Sequence, residues 1–231
     1  MPTAPATVAT THGDVPLDEV ELELAGRTWR ILHAGAVISR EQEEAYLRGD
    51  ALQVAGETGT TRLPYGSVLW PSAIALAHEL ATRDLRGLRV LELGAGTGLP
   101  GIIAASRGAR VVQTDRQSVA LHLSKRNAER NGVAGDAGIE TRTADWTAWT
   151  DDTRYDLVIG ADILYARELH APLRAIFERN AGEVLVADPY RANGLALLEA
   201  MERDGWRASL TKWTVGVTPP PRPVGVFALR R

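Results

Sequence analysis

The sequence has no cysteine and no long apolar run, and both absences limit what the protein can be. Without cysteine there are no disulfides, no thiolate metal sites and no cysteine nucleophile. No apolar stretch approaches the roughly 20 residues of a membrane-spanning helix, and the N-terminus lacks the charged-then-apolar pattern of a signal peptide. We therefore expect a cytoplasmic protein with no membrane partner.

An excess of charge of one sign is also missing. The formal net charge is −3 and the isoelectric point is near 6.0, so there is no broad basic field and no nucleic-acid partner is expected. The five histidines, at positions 12, 33, 78, 122 and 170, show no metal-ligand spacing, and no Gly-x-Ser-x-Gly elbow occurs. We expect no metal.

The composition, with 45% hydrophobic and 24% charged residues over 231 positions, is that of one α/β domain with additions. Residues 1–16, rich in Thr, Ala and Pro, predict a disordered tail. Residues 17–68 predict an N-terminal β-hairpin from the alternation at 20–31, then a polar helix over 39–48 and a loop that could form a lid. The main domain is predicted over residues 69–231.

The central motif is a short apolar strand that ends in closely spaced glycines, Gly94, Gly96 and Gly98. Such a loop lets the backbone approach a ligand where a Cβ would collide, and it predicts a cradle for a nucleoside. A dinucleotide fingerprint would need a glycine at position 99, where the sequence has leucine. A P-loop would need a lysine after its last glycine, whereas Ile102 follows Gly101. A glycine-rich turn without a ligand is the alternative.

Acidic residues follow the next three predicted strands. Asp115 ends the second strand, where a carboxylate can accept hydrogen bonds from ribose hydroxyls; it could instead cap the next helix. Asp145-Trp146 follows the third strand, and a turn aspartate is its alternative. Asp162 and Tyr165 follow the fourth. Because ligands bind outside the carboxyl ends of the strands in open α/β sheets, these residues should face one crevice with the glycines.

Glu92-x-Gly-x-Gly-x-Gly98 resembles the first motif of the class I, seven-strand S-adenosylmethionine-dependent methyltransferases, and the similarity extends over roughly residues 69–229. It implies a Rossmann-like α/β fold: a seven-stranded, mostly parallel sheet with helices on both faces and an antiparallel last strand. It also implies S-adenosyl-L-methionine as cofactor, with the acid close to the cofactor's amino group. The implied cofactor-binding residues are Trp70, Glu92, Gly94, Ala95, Gly96, Gly98, Asp115, Asp145, Trp146 and Ala161.

Trp70-Pro71 before the first helix of the main domain, together with Asp162-x-x-Tyr165, resembles one branch of these enzymes. That branch includes protein lysine N-methyltransferases and nicotinamide-methyltransferase-like proteins. Trp70 would border the cofactor there, although a tryptophan before a helix could also be a core anchor. The Asn/Asp-Pro-Pro-Tyr/Phe signature of amide and adenine methyltransferases is absent after the fourth strand.

The resemblance implies N-methylation of a lysine in a partner protein, with Asp162 and Tyr165 as catalytic residues. Asp162 would attract and orient the ammonium group, and Tyr165 would shape its channel. A metabolite amine as acceptor and a non-catalytic cofactor-binding protein are the alternatives. Asp188-Pro-Tyr190 could line the acceptor pocket or form a structural turn, and Arg191 has no assignment. The oligomeric state is not encoded in any pattern that we recognise.

Overall fold

The computed structural model describes residues 6–10, 13–36, 53–56, 59–62, 65–133, 138–216 and 221–231. A seven-stranded sheet forms its centre, with the strand order β11-β10-β9-β12-β13-β15-β14. The strands of this sheet are β9 (Arg89–Leu93), β10 (Arg110–Asp115), β11 (Ile139–Thr143), β12 (Tyr155–Ala161), β13 (Ala181–Asp188), β14 (Arg207–Val215) and β15 (Arg222–Arg230).

The direction of the strands agrees with the predicted fold. β9 to β13 pair in parallel, and β15 runs antiparallel to both of its neighbours, which confirms the antiparallel last strand. The chain first builds outward from β9 through β10 to β11 and then returns to β12 on the other side of β9. Strand order therefore reverses between β9 and β12, and a crevice is expected at the carboxyl ends of these strands.

Within the described ranges, five α-helices cover the two faces of the sheet. They are α1 (Pro71–Ala81), α2 (Leu99–Ser106), α3 (Ser118–Arg130), α4 (His170–Asn180) and α5 (Ala192–Arg203). Because side chains alternate across a strand, Leu185 and Ala187 of β13 belong to one core cluster, and Val184 and Val186 belong to the other. The first cluster includes residues of α1, α2 and α3, and the second includes residues of α4 and α5.

The predicted N-terminal hairpin is present as β3 (Asp18–Leu24) and β4 (Arg27–His33), paired antiparallel. Its apolar side chains Leu24, Trp29 and Ile31 are buried in the same cluster as α1 and α2. The hairpin is therefore part of the core packing on one face of the sheet.

The described part of the N-terminal segment, residues 6–10 and 13–16, differs from the disordered tail expected over residues 1–16. β1 (Thr7–Thr10) and β2 (Gly13–Pro16) form a second antiparallel hairpin. Val8 and Val15 are buried against Leu123 of α3 and apolar residues around β4. The segment is polar overall, but it contains two apolar residues that pack against α3. These tertiary contacts stabilise strands that the local composition does not predict.

The segment between the hairpin and the main domain is described only in part. The helix predicted over 39–48 lies outside the described residues. The predicted loop contains β6 (Gln53–Gly56) and β7 (Gly59–Arg62), which pair antiparallel, and β5 (Gly35–Ala36) pairs in parallel with β8 (Val68–Leu69). The proposed boundaries at residues 16 and 68 stay predictions. None of the helices in the described ranges is both long and apolar enough to cross a membrane.

Candidate active site

A cavity of about 530 Å³ opens at the carboxyl ends of β9, β10, β11 and β12. This volume falls within the roughly 300–1,000 Å³ of typical small-molecule sites. Most of the predicted site residues line it; Glu92, Ala95 and Gly98 do not. The lining residues are Gly66, Trp70, Gly94, Gly96, Asp115, Arg116, Gln117, Ala144, Asp145, Trp146, Thr147, Ala161, Asp162, Ile163, Tyr165, Leu169 and Arg191.

The glycine loop follows β9 directly and forms one wall. Gly94, Gly96 and Gly98 have φ values of +67°, +54° and +81°, a region that side chains other than glycine rarely adopt. A Cβ on Gly94 would lie 3.1 Å from Ile163 Cγ2 and 3.3 Å from the Trp146 ring. The absence of a side chain at Gly94 therefore keeps this wall of the cavity open.

Glu92 lies behind the glycine loop, where it does not reach the cavity. Its Oε2 accepts a hydrogen bond of 2.7 Å from Gln113 Nε2, which also donates to the Gly98 carbonyl at 3.0 Å. Ser124 Oγ completes the network by donating to Gln113 Oε1 at 2.6 Å. Burial raises the pKa of Glu92 to about 8. Glu92 is therefore not among the residues that line the cavity, and its place close to the cofactor's amino group stays a prediction.

Gly98 and Ala95 also support the loop from outside the cavity. A Cβ on Gly98 would collide with Ser124 of α3, so this glycine permits close packing between the loop and the helix. The Ala95 amide donates to the Thr114 carbonyl at 2.9 Å and ties the loop to β10.

Asp115 stands at the end of β10 and holds the loop from the second strand. Its Oδ2 accepts from the Gly96 amide at 3.1 Å, and its Oδ1 accepts from the Gln117 amide at 2.8 Å. Burial raises the pKa of this carboxyl group, and the two backbone donors oppose that rise. The side chain is 8% exposed, which argues against a mere surface cap.

Asp145 and Trp146 form a turn and also line the cavity, and their role as cofactor-binding residues stays a prediction. Asp145 is a turn residue, because its Oδ1 accepts from the Thr147 amide at 2.9 Å and from Thr147 Oγ1 at 2.7 Å. These bonds lower the pKa of Asp145. The turn also places Asp145 in the cavity wall and brings the Trp146 ring next to Gly94.

Trp70 and Ala161 both line the cavity. Trp70 is the residue before Pro71, at the start of α1, and it lines the cavity while remaining partly exposed. It therefore serves the helix start and the cavity wall together. Ala161 is the last residue of β12 and brings the chain into the cavity just before Asp162.

Asp162 has a strained backbone and a buried side chain. Its φ is +57°, and its amide donates to the Ala187 carbonyl of β13 at 2.9 Å. Residues held in this region cost about 1–3 kcal/mol and often occur at functional sites. The carboxylate is 9% exposed, and its Oδ1 lies 2.5 Å from Arg191 Nη1.

Arg191 lines the cavity and is one of several lining residues, with Arg116 and Gln117 among the others, to which the sequence analysis assigned no role. It also reaches Asp188, with Nη1 at 3.3 Å from Asp188 Oδ2 and its amide donating to Asp188 Oδ1 at 2.7 Å. Burial raises the pKa of Asp188 to about 6; Arg191 opposes this rise and Asp162 adds to it. Arg191 follows the end of β13, at the same edge of the sheet as the other site residues, and this position in the sequence could have indicated that it lines the cavity.

Tyr165 marks the mouth of the cavity. It is 40% exposed, and its carbonyl accepts a hydrogen bond of 2.9 Å from Asn193 Nδ2 at the start of α5. Leu169 lines the same side. Within the part of the chain that the structure describes, no group of three or more His, Asp or Glu side chains could hold a metal ion.

Solved structures of low sequence identity share this fold. The magnesium protoporphyrin IX methyltransferase of Synechocystis PCC 6803, determined with bound SAM, has a TM-score of 0.56 and 18% identity; the match covers 69% of this chain and 78% of that one. The ribosomal protein L11 methylase of Lactobacillus delbrueckii subsp. bulgaricus has a TM-score of 0.54 and 19% identity, with 77% and 90% covered. They confirm the Rossmann-like methyltransferase fold.

Curated relatives are similar over about half of the chain. Protein N-lysine methyltransferase METTL21A of Danio rerio is 38% identical over 132 residues, which are 54% of this chain and 60% of that protein. EEF1A lysine methyltransferase 3 of Mus musculus is 36% identical, with 51% of each chain covered. Histone-arginine methyltransferase METTL23 of Xenopus laevis is 33% identical, with 44% and 45% covered. The chain thus spans between about half and three-fifths of these relatives.

A sequence model described as lysine methyltransferase matches residues 47–192. This range is more than half of the chain, and it contains every residue that lines the cavity. The chain therefore belongs to the lysine methyltransferase family.

Proposed function

We propose that this protein transfers a methyl group from S-adenosylmethionine to the side-chain amine of a lysine in a partner protein. The observation that carries the proposal is that two groups of residues line one cavity. The glycine-loop half of this lining contains Gly94, Gly96 and Asp115, and the acceptor half contains Asp162 and Tyr165. Membership of the family and the names of the relatives METTL21A and EEF1A lysine methyltransferase 3 support the same activity.

The residues present fit the cofactor. Gly94 and Gly96 leave backbone at the wall where a side chain would intrude, and Trp146 offers an aromatic surface beside them. Asp115 would accept hydrogen bonds from ribose hydroxyls, and Asp145 from an amine of the base. Trp70 and Ala161 would complete the wall, while Glu92, Ala95 and Gly98 would act from behind by fixing the loop. When bound, S-adenosylmethionine supplies an electrophilic methyl group on a positively charged sulfur.

The acceptor side has the charge that a lysine needs. Two carboxylates, Asp162 and Asp188, share the single guanidinium of Arg191, so the cluster has a formal charge of −1 when both are ionised. A lysine with a reference pKa of roughly 10.4 arrives as an ammonium ion, and this charge would attract it. Asp162 would orient the amine, and the exposed ring of Tyr165 would border its channel.

Displacement at a methyl group needs alignment more than it needs a covalent nucleophile. The role of the protein is then to hold the acceptor in line, to let its proton leave toward the open mouth at Tyr165, and to exclude water from the buried side. Asp162 is suited to the first task because the strand end and the Ala187 carbonyl fix its backbone.

The acceptor class can be tested by supplying radiolabelled S-adenosylmethionine to the purified protein in a cell extract and separating macromolecules from metabolites. We expect label in a protein band, on lysine after hydrolysis. Label confined to small molecules would support a metabolite amine instead, and label on arginine would match the name of METTL23. If no label above background were found, the result would favour the alternative of a cofactor-binding protein without catalysis. The cytoplasmic location and the lack of a nucleic-acid partner stay predictions from the composition.

A further inference from the structure

The outer edge of β4 is completed by asparagine side chains. Among the described residues β4 pairs with one strand, β3, which leaves the backbone groups of Arg30 and Leu32 directed toward α3. Asn131 Oδ1 accepts from the Arg30 amide at 2.9 Å, and its Nδ2 donates to the Arg30 carbonyl at 2.8 Å. Asn127 does the same for Leu32, at 2.8 Å and 3.0 Å. Each side-chain amide thus takes the place of a neighbouring strand.

The geometry of the two elements explains this match. Four residues along a helix advance about 6 Å, at 1.5 Å each. Two residues along a strand advance about 6.6 Å, at roughly 3.3 Å each. Asn127 of α3 and Asn131 at the C-cap of this helix are spaced by four, so they stay in register with alternate residues of β4 and fix how the N-terminal hairpin sits on the main domain.

Asn127 makes one contact that Asn131 lacks. Its Nδ2 also donates to the Thr97 carbonyl at 2.9 Å, and Thr97 lies between Gly96 and Gly98 in the glycine loop. The second donor bond of Asn131 returns to its own helix, at the Asn127 carbonyl, 2.8 Å away. Asn127 is fully buried, so these bonds have no competition from solvent.

We propose that Asn127 is a positioning residue that couples the docking of the N-terminal hairpin to the conformation of the glycine loop, and so to cofactor affinity. The inference rests on the proposed function, because it takes S-adenosylmethionine as the ligand of that loop. One amide group holds Leu32 and Thr97 together, so loss of either contact loosens the other. Such a coupling is reciprocal: a ligand on the loop must also stabilise the docked hairpin.

The test compares Asn127→Ala with the matched control Asn131→Ala. Each change removes one pair of bonds to β4, and we expect both to lower the thermal midpoint. The dissociation constant for S-adenosylmethionine, measured by titration calorimetry, should rise about tenfold in Asn127→Ala, within the usual range of coupling between sites, and stay near the wild-type value in Asn131→Ala. Equal affinity in the two variants would overturn the inference.

A second measurement on the wild-type protein covers the case in which Asn127→Ala does not fold. Saturating S-adenosylmethionine should slow hydrogen exchange at the Leu32 amide at least about fivefold, while amides in α5 stay unchanged. Unchanged exchange at Leu32 in a protein that binds the cofactor would refute the coupling alone. A wild-type protein that binds no cofactor would refute the proposed function and this inference with it.

Discussion

The two halves of the cavity lining differ in chemistry. The glycine-loop half consists mainly of backbone, held from behind by buried neutral or neutralised groups such as Gln113, Ser124 and Glu92. The acceptor half consists of charged side chains, with Asp162 in a strained backbone conformation and bound to Arg191. The first half is specified by shape, and the second is specified by charge. Variants should therefore separate cofactor binding from acceptor turnover.

The largest effect on activity is expected from Gly98→Ala, which breaks the shape of the loop and so removes cofactor binding. At a φ of +81° an alanine costs about 1–2 kcal/mol in backbone strain, and its Cβ would also collide with Ser124, which adds about 1–3 kcal/mol. We expect the unfolding free energy to fall by the sum of the two and cofactor binding to be lost in calorimetry.

Gly132→Ala is the matched control for that change. Gly132 has a φ of +67°, but nothing lies within 4 Å of an added Cβ, so only the backbone strain applies. Denaturant titrations of both variants should differ by the cost of the collision. Equal losses in the two, with cofactor binding intact, would show that the contact between the loop and α3 does not matter for the site.

The next largest effect on activity is expected from Arg191→Met, which changes the acceptor half. Removing one partner of a buried charge pair costs about 3–5 kcal/mol, and two carboxylates lose this cation together. We expect acceptor turnover to fall strongly, while the dissociation constant for S-adenosylmethionine stays near that of the wild type. Arg179→Met is the control, since Arg179 pairs with Asp152 at the surface, and its removal should cost at most about 0.5 kcal/mol.

Arg191→Met should also change how stability depends on pH. The raised pKa of Asp188 means that the folded protein binds more protons than the unfolded chain, so stability falls as pH rises from about 3.8 to about 6. Without Arg191 this pKa rises further, and the decline extends to higher pH. A variant with the wild-type profile of unfolding free energy against pH would contradict the assigned cluster.

The smallest effect on binding is expected from Glu92→Gln. The structure places this acid behind the loop, so affinity for S-adenosylmethionine should change by no more than about threefold, under 1 kcal/mol. The pKa of Glu92 is about 8, so its ionisation lowers the stability of the wild type as pH rises from 4.5 to 8. Glu92→Gln has no carboxyl group to ionise here, so its thermal midpoint should rise relative to that of the wild type as the pH increases from 4.5 to 8. A large loss of affinity without the change in pH dependence would place Glu92 at the ligand.

The difference between the two halves also explains what the sequence could predict. Gly94, Gly96 and Gly98 act through local backbone geometry, and Asp115 follows from the rule that strand ends share one edge of a parallel sheet. Both kinds of signal are visible in the spacing of the residues. The hairpin β3–β4 was predicted correctly from the alternation of its residues, and the central sheet with its antiparallel last strand was predicted correctly from the resemblance to the methyltransferases.

Contacts that depend on the packed chain were not predictable. Arg191 and Asp162 are far apart in sequence, and only the pairing of β12 with β13 brings them together. Glu92 turns inward because Gln113 of the neighbouring strand offers it a partner. The strands within residues 7–16 form because α3 provides an apolar surface, which no local pattern in that segment reveals.

The central claim is that Asp162 serves the acceptor and not the cofactor, and Asp162→Asn tests it most directly. Asp152→Asn, at an exposed position, is the control. Cofactor affinity by calorimetry and methyl transfer to protein should be measured on the same preparations. The account predicts that Asp162→Asn loses transfer while its dissociation constant for S-adenosylmethionine stays close to that of the wild type and of the control. Full transfer by Asp162→Asn, or a loss of cofactor binding that matches the loss of transfer, would contradict it.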